Sequence, residues 1–171
     1  KFSGGLPGTT NQDGDRYVEI WNLVFMEYQK NKSGLKRLHK KCVDTGMGLE
    51  RITALLAKKN NNYETDLFDF VFTDVEKIIG IKMTKQNEVP FRIISDHIKS
   101  ICMLMSDGII PSNEGRGYVL RRIIRRAIVQ SNKIKKAELF LNKLVKGVVD
   151  KYKQNYFELE KSQKFIEENL K

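Results

Sequence analysis

Asp44-Thr45-Gly46-Met47-Gly48-Leu49-Glu50-Arg51-Ile52 is where the pattern of the chain changes. On its N-terminal side, residues 35–43 read as a strand, and residues 16–28 (Arg-Tyr-Val-Glu-Ile-Trp-Asn-Leu-Val-Phe-Met-Glu-Tyr) as another. The second of these is dense in β-branched and aromatic side chains on both faces, which predicts an interior strand. Asn31-Lys32-Ser33-Gly34 lies between them as a turn, so the pair is expected to form an antiparallel hairpin with a longer loop. Residues 3–15, rich in Gly, Thr, Asn and Asp and holding Pro7, form a loop. On the C-terminal side, Leu49, Ile52, Leu55 and Leu56 follow helical spacing to about residue 59, and Asn60-Asn61-Asn62 breaks the helix. Helices are then expected over about 65–79, 91–106, 117–130, 136–150 and 154 to the end. Strands first and helices afterwards give an α+β fold: antiparallel strands over 1–62, then an all-α module over 63–171. Residues 159–171 are charged and show no obvious partner surface, so they are expected to continue into further sequence.

The bulk numbers fit a folded chain with a basic surface. Of 171 residues, 40% are hydrophobic and 30% charged, and the formal net charge is +10, which suits a polyanion such as nucleic acid. Charge does not separate RNA, DNA, acidic protein and anionic lipid. Apolar runs are too short to span a bilayer, so no membrane partner is expected. Cys42 and Cys102, far apart and flanked by apolar residues, read as two buried free thiols in a reducing compartment. The first residues resemble no signal peptide and include no initiator Met, so the chain reads as part of something longer.

Chemistry is expected in three places. Asn22 is an isolated amide in an apolar strand; alternation puts Asn22 and Val24 on one face, and Glu19 and Trp21 on the other. Asn22 either satisfies a nearby backbone group or orients a small polar ligand, with Val24 limiting its size. At Asp44 to Arg51, two glycines let the backbone approach something closely before a helix N-terminus, where anions are favoured. The plainer reading is an Asp44 or Thr45 helix cap with Arg51 on a solvated face. Third, in residues 111–127 (Pro-Ser-Asn-Glu-Gly-Arg-Gly-Tyr-Val-Leu-Arg-Arg-Ile-Ile-Arg-Arg-Ala) a helical wheel collects Val119, Leu120, Ile123, Ile124, Ala127 and Ile128 on one half. Arg121, Arg122, Arg125 and Arg126 fill the other half. At least one of the four is expected to be structural, but four arginines without an intervening acid are better explained by phosphates than by a solvated face.

Two of these strings carry a resemblance. Strand, then Gly46-Met47-Gly48-Leu49-Glu50-Arg51, then helix resembles motif 3 of class II aminoacyl-tRNA synthetases. The form Asp44-Thr45-Gly46-Met47-Gly48-Leu49-Glu50-Arg51-Ile52, with the preceding Asp15 to Met26 stretch, is similar to the alanyl-tRNA synthetase family. So is Pro111-Ser112-Asn113 followed by Arg116-Gly117-Tyr118-Val119-Leu120-Arg121-Arg122-Ile123-Ile124-Arg125-Arg126-Ala127, which resembles the start of that family's helical tRNA-recognition domain. Asp96-His97 also falls in the family pattern, without a role assigned to it.

The resemblance implies an alanine–tRNA ligase: alanine is activated with ATP to alanyl-adenylate and transferred to the 3′ end of tRNA(Ala). It implies that Arg51 is the catalytic residue gripping ATP phosphates with a planar, always-charged fork, with Gly48 beside it at the ATP site. Asp44 would pair with the alanine ammonium and Gly46 would leave room for a methyl group, facing Asn22 and Val24. Asn113 would touch the G·U wobble pair of the acceptor stem, while Arg116, Arg121, Arg122, Arg125 and Arg126 hold the backbone. The implied cofactors are ATP and its Mg2+; His39 and His97 are too few and badly spaced for a zinc site. The motif 1 and motif 2 elements of the family, the acidic residue completing wobble recognition and the editing domain are not found in these residues. The chain by itself is therefore expected to be inactive in adenylation. A cytoplasmic or organelle-matrix location is implied. Two other readings stand beside this one: a non-catalytic RNA-binding helical module, and a helical protein–protein adaptor with a solvated basic face.

Overall fold

The structure, a computed structural model, describes residues 3–14, 16–135 and 140–171. It divides into two units, Lys1–Asn62 and Tyr63–Lys171.

In the first unit, β1 (Trp21–Asn31) pairs antiparallel with β2 (Gly34–Met47), and α1 (Leu49–Leu56) follows. The hairpin turn is tight. Asn31 Oδ1 accepts from the Ser33 N–H at 3.0 Å and from its hydroxyl at 2.7 Å, and Gly34 takes φ +115°. Such a conformation is costly for any residue with a Cβ. Both strands are displaced from their expected limits. β1 begins later than residue 16, and β2 continues through Asp44, Thr45 and Gly46, which read as turn residues but lie in register with Val24, Leu23 and Asn22. Asp15 lies outside the described residues.

The ribbon is made of two differently registered segments. Trp21 to Met26 pair with Met47 to Cys42, and Tyr28 to Asn31 pair with Arg37 to Gly34. Between them Glu27 faces the four residues 38–41, and its carboxylate spans the irregularity, reaching Lys41 Nζ at 2.6 Å and Arg37 Nη2 at 3.9 Å. The expected interior strand is not seen in the described sheet, which has two strands. Trp21, Leu23, Val24 and Phe25 are exposed, as are Leu49, Leu55 and Leu56 of α1. Cys42, expected to be buried, is exposed on β2, because both faces of this ribbon are open.

A single 3-10 turn at Asn62–Glu64 straddles the boundary, and the second unit builds α2 (Asp66–Ile79), α3 (Glu88–Ser106), α4 (Gly115–Ile134), α5 (Leu141–Tyr152) and α6 (Phe157–Asn169). Residues 136–139, where a fourth helix of this module was expected to begin, lie outside the described residues. Helix α2 buries Phe68, Val71, Phe72, Val75 and Ile79, a stripe of helical period, and stops at Gly80, whose φ of +73° is left-handed. Helix α3 is the centre: it touches α2, α4, α5 and α6. Its Phe91, Ile94, Ile98, Ile101 and Cys102 are fully buried. Each of the Phe and Ile side chains contributes about 1.5–3 kcal/mol by leaving water.

The C-terminal stretch, for which no partner surface was evident in the sequence, packs as α6 on α3 and α5. Its apolar contacts are sparse, Leu159, Ile166 and Leu170, but all three are buried. No helix among the described residues is long and apolar enough to cross a membrane.

Candidate functional site

The first unit brings four of the expected residues together. Asn22 lies directly opposite Gly46, and Val24 opposite Asp44. Directly opposed residues of an antiparallel pair project to the same face, so Asn22, Val24, Asp44 and Gly46 form one continuous patch. Gly46 keeps that patch open: a Cβ there would lie 3.1 Å from Asn22 Oδ1. Asp44 Oδ1 accepts the Thr45 N–H at 2.9 Å, and among the described residues no cationic side chain pairs with this carboxylate.

Asn22 is exposed, not buried, and its amide donates to Glu19 Oε1 at 2.9 Å. Glu19 was expected on the opposite face. It precedes the first residue of β1, so strand alternation does not govern it. The other face of the ribbon carries a separate cluster in which the Trp21 indole N–H donates to Thr45 Oγ1 and the Thr45 hydroxyl donates to the Asn22 carbonyl at 3.1 Å.

Arg51 reaches back toward this patch. Its Nη1 donates to the Glu19 carbonyl at 2.5 Å, and Gly48 leaves space for its stem, since a Cβ on Gly48 would meet Arg51 Cδ at 3.3 Å. Gly48, rather than Asp44 or Thr45, caps α1; its N–H bonds the Ile20 carbonyl at 3.1 Å, and its own carbonyl accepts the Ile52 N–H at 2.9 Å. Glu19 thus links Asn22, through its side chain, to Arg51, through its backbone. Glu19 carried no expected role, although its place three residues before Asn22 was a usable signal.

In the second unit, Asn113 sits just before α4, and Arg121 Nη1 donates to Asn113 Oδ1. The loop holding Asn113 is pressed onto the helix at Gly117, where a Cβ would lie 2.3 Å from Ser112 Oγ and 2.4 Å from the Ile110 carbonyl. Ser112 donates to the Glu114 carbonyl at 2.9 Å, which closes the turn into the helix. Leu120 and Ala127 are fully buried, and Ile123, Ile124 and Ile128 pack against the core. Val119, placed on that apolar half by the helical wheel, is 52% exposed instead.

Arg116, Arg121, Arg122, Arg125 and Arg126 are all exposed, and among the described residues none pairs with a carboxylate. Arg121, Arg122, Arg125 and Arg126 line one recess with Tyr118, over whose ring the Arg122 guanidinium sits 5.8 Å from the centroid. Tyr118 was missed in the sequence, although its spacing of four from Arg122 allows this contact. A second recess, between α3 and α4, is lined by His97, Val119, Arg122, Ile123 and Arg126. Near it, the Tyr63 hydroxyl is pushed above the ordinary tyrosine range by burial and by the Asp96 charge, against the opposing pull of Arg92 and Arg126.

Comparison with known proteins bears on both regions. Residues 2–171 match the family model described as tRNA synthetases class II (A). The chain is 46% identical over 164 residues to the alanine–tRNA ligase of Rickettsia bellii, covering 95% of this chain and 19% of the relative. It is 47% identical over 169 residues to that of Francisella tularensis subsp. novicida, covering 98% of this chain and 19% of the relative. With the alanine–tRNA ligase of a Psychrobacter species it shares 46% over 168 residues, 98% of this chain and 18% of the relative. The chain therefore spans about a fifth of the length of the curated relatives it matches.

Proposed function

The chain belongs to the class II tRNA synthetases, and from that premise we propose that it supplies part of the alanine pocket and part of the acceptor-stem grip of an alanine–tRNA ligase. In the whole enzyme, the alanine carboxylate attacks the α-phosphate of Mg2+-bound ATP, giving alanyl-adenylate and releasing pyrophosphate, and the 3′-terminal hydroxyl of tRNA(Ala) then takes the alanyl group and releases AMP. The reading rests on one observation above all: the register that sets Asn22 against Gly46 and Val24 against Asp44.

That patch has the chemistry alanine needs. Asp44 offers a carboxylate without a cationic partner to the ammonium. Gly46 leaves a gap walled by Asn22 and Val24 that suits a methyl group, and a larger side chain would meet the amide. Arg51, whose guanidinium lies at the Glu19 carbonyl beside Gly48, is the candidate for the ATP phosphates. Its planar fork acts by positioning and by charge stabilisation, and moves no proton. ATP and Mg2+ are the cofactors on this reading, and the cytoplasm or an organelle matrix the location.

Asn113 is the candidate for reading the wobble pair. With Oδ1 engaged by Arg121, its amide N–H2 is left to donate into an A-form minor groove, where base edges and 2′-hydroxyls are displayed. Arg116, Arg121, Arg122, Arg125 and Arg126 would hold phosphates, positioning while Asn113 specifies.

Binding of the 171-residue chain to an acceptor-stem hairpin containing G·U, beside the same hairpin with G·C, at two salt concentrations, tests this. A G·U preference with affinity falling steeply as salt rises is expected. Weak binding that salt leaves unchanged would favour a helical protein adaptor. Alanine-dependent pyrophosphate exchange by these residues on their own is expected to be far below that of a full-length enzyme.

A further inference from the structure

Asp96-His97 has no part in the reading so far, yet the fold places it at the arginine helix. The His97 side chain is 12% exposed, and its Nδ1 lies 3.1 Å from Asp96 Oδ2. A carboxylate can only accept, so Nδ1 carries the hydrogen toward Asp96, and in the neutral form of the ring Nε2 is an acceptor. The ring lines the α3–α4 recess with Arg122 and Arg126, one helical turn apart, and with Val119 and Ile123. Neither arginine has a carboxylate partner among the described residues, and Val119 is exposed here in an otherwise inward-facing stripe.

These parts do not suit a bare phosphate. Two guanidiniums match phosphate oxygens, but an imidazole acceptor beside the Asp96 charge would repel them. It suits a group that donates. A ribose hydroxyl adjacent to a phosphate supplies both characters at once, and an apolar floor suits the sugar ring. We propose that the α3–α4 recess is an RNA backbone subsite in which Arg122 and Arg126 hold a phosphate, Val119 supports the sugar and His97 accepts from its 2′-hydroxyl. This rests on the acceptor-stem reading above and adds to it a means of preferring RNA, since the 2′-hydroxyl is what separates RNA from DNA at a given site.

The test compares binding of the 171-residue chain to an all-ribose acceptor-stem hairpin and to the same hairpin with 2′-fluoro sugars, which remove the donor and keep the A form. The wild-type chain is expected to prefer ribose by about threefold to tenfold, the range one net hydrogen bond supplies. His97→Ala should lose that factor on the ribose hairpin and leave the 2′-fluoro hairpin unchanged. His97→Gln, which restores an acceptor and guards against misfolding of the alanine variant, should keep part of the preference. Arg126→Ala should weaken both hairpins alike and lower the salt slope by about one. Equal losses for His97→Ala on the two hairpins would mean a packing role and overturn the proposal. A wild-type chain that binds both hairpins equally, with steep salt dependence, would overturn this subsite but leave the acceptor-stem reading standing; binding to neither would remove both.

Discussion

The ribbon of the first unit and the helical unit position their candidate residues by different means. No described residue of β1 or β2 is buried, whereas α3 alone buries Phe91, Ile94, Ile98, Ile101, Cys102 and Met105. Asn22, Val24, Asp44 and Gly46 meet because backbone hydrogen bonds fix which residue faces which. Asn113 and the arginines meet because a packed helix presents them and a loop is seated on it without room for a methyl group. An isolated two-stranded ribbon is marginally stable in water, so its geometry rests on register. The geometry of the helical unit rests on its core.

The contrast would be broken most visibly by thiol chemistry. Cys42 is exposed on the ribbon, and Cys102 lies in the core, where burial pushes its thiol up to about 12. Labelling of the native chain by an aromatic disulfide at mildly alkaline pH should modify Cys42 at least about 100-fold faster than Cys102, since the thiolate is the nucleophile. Similar rates would mean that the helical core opens as readily as the ribbon. The raised value also sets a sign. The stabilising contribution of Cys102 is complete below an unfolded-state pKa of about 8.5. It is lost as pH climbs from there towards about 12, so Cys102→Ala should flatten part of the alkaline loss of stability.

A smaller effect separates core from ribbon energetically. Ile98 is fully buried and Phe25 is 73% exposed. Ile98→Ala should cost about 2–5 kcal/mol in urea unfolding of the chain, and Phe25→Ala should stay within about 0.5 kcal/mol. Comparable losses would show that the ribbon has a packed face in solution. Smaller again, Gly117→Ala should cost about 1–3 kcal/mol by overpacking and should also lower the G·U preference of the chain, because Ser112 and Ile110 must move with Asn113. Lost stability with an unchanged preference would separate the loop position from base reading.

Much of the second unit was legible in the sequence because its signal is periodic. Phe68, Val71, Phe72, Val75 and Ile79 spell out a helix face, as does the stripe of α3 from Ile94 to Met105. Helix α6 was expected as a helix but without a partner surface, because its buried apolar residues, Leu159, Ile166 and Leu170, do not stand out among the charges and the exposed Phe157 and Phe165. In the ribbon, Asp44, Thr45 and Gly46 have turn-like composition but strand pairing, so the local signal ran against the register. The glycine spacing around Arg51 and the arginines of α4 could be read directly. Glu19 and Tyr118 left only a spacing to go on, three residues from Asn22 and four from Arg122, and the exposure of Val119 left none, because it depends on which side of α4 the α3 helix covers.

The irregularity at Glu27 has a consequence for how this chain tolerates change over generations. With Glu27 facing the four residues 38–41, the pairing near the turn and the pairing at Asn22 and Gly46 are set separately. A residue gained or lost near Lys32-Ser33 can be absorbed at that joint instead of sliding the whole ladder and turning Asn22 and Asp44 to the wrong face. An insertion at Lys32-Ser33 that left the Asn22–Gly46 pairing intact would show the outer half of the hairpin able to change length while the inner half keeps its frame.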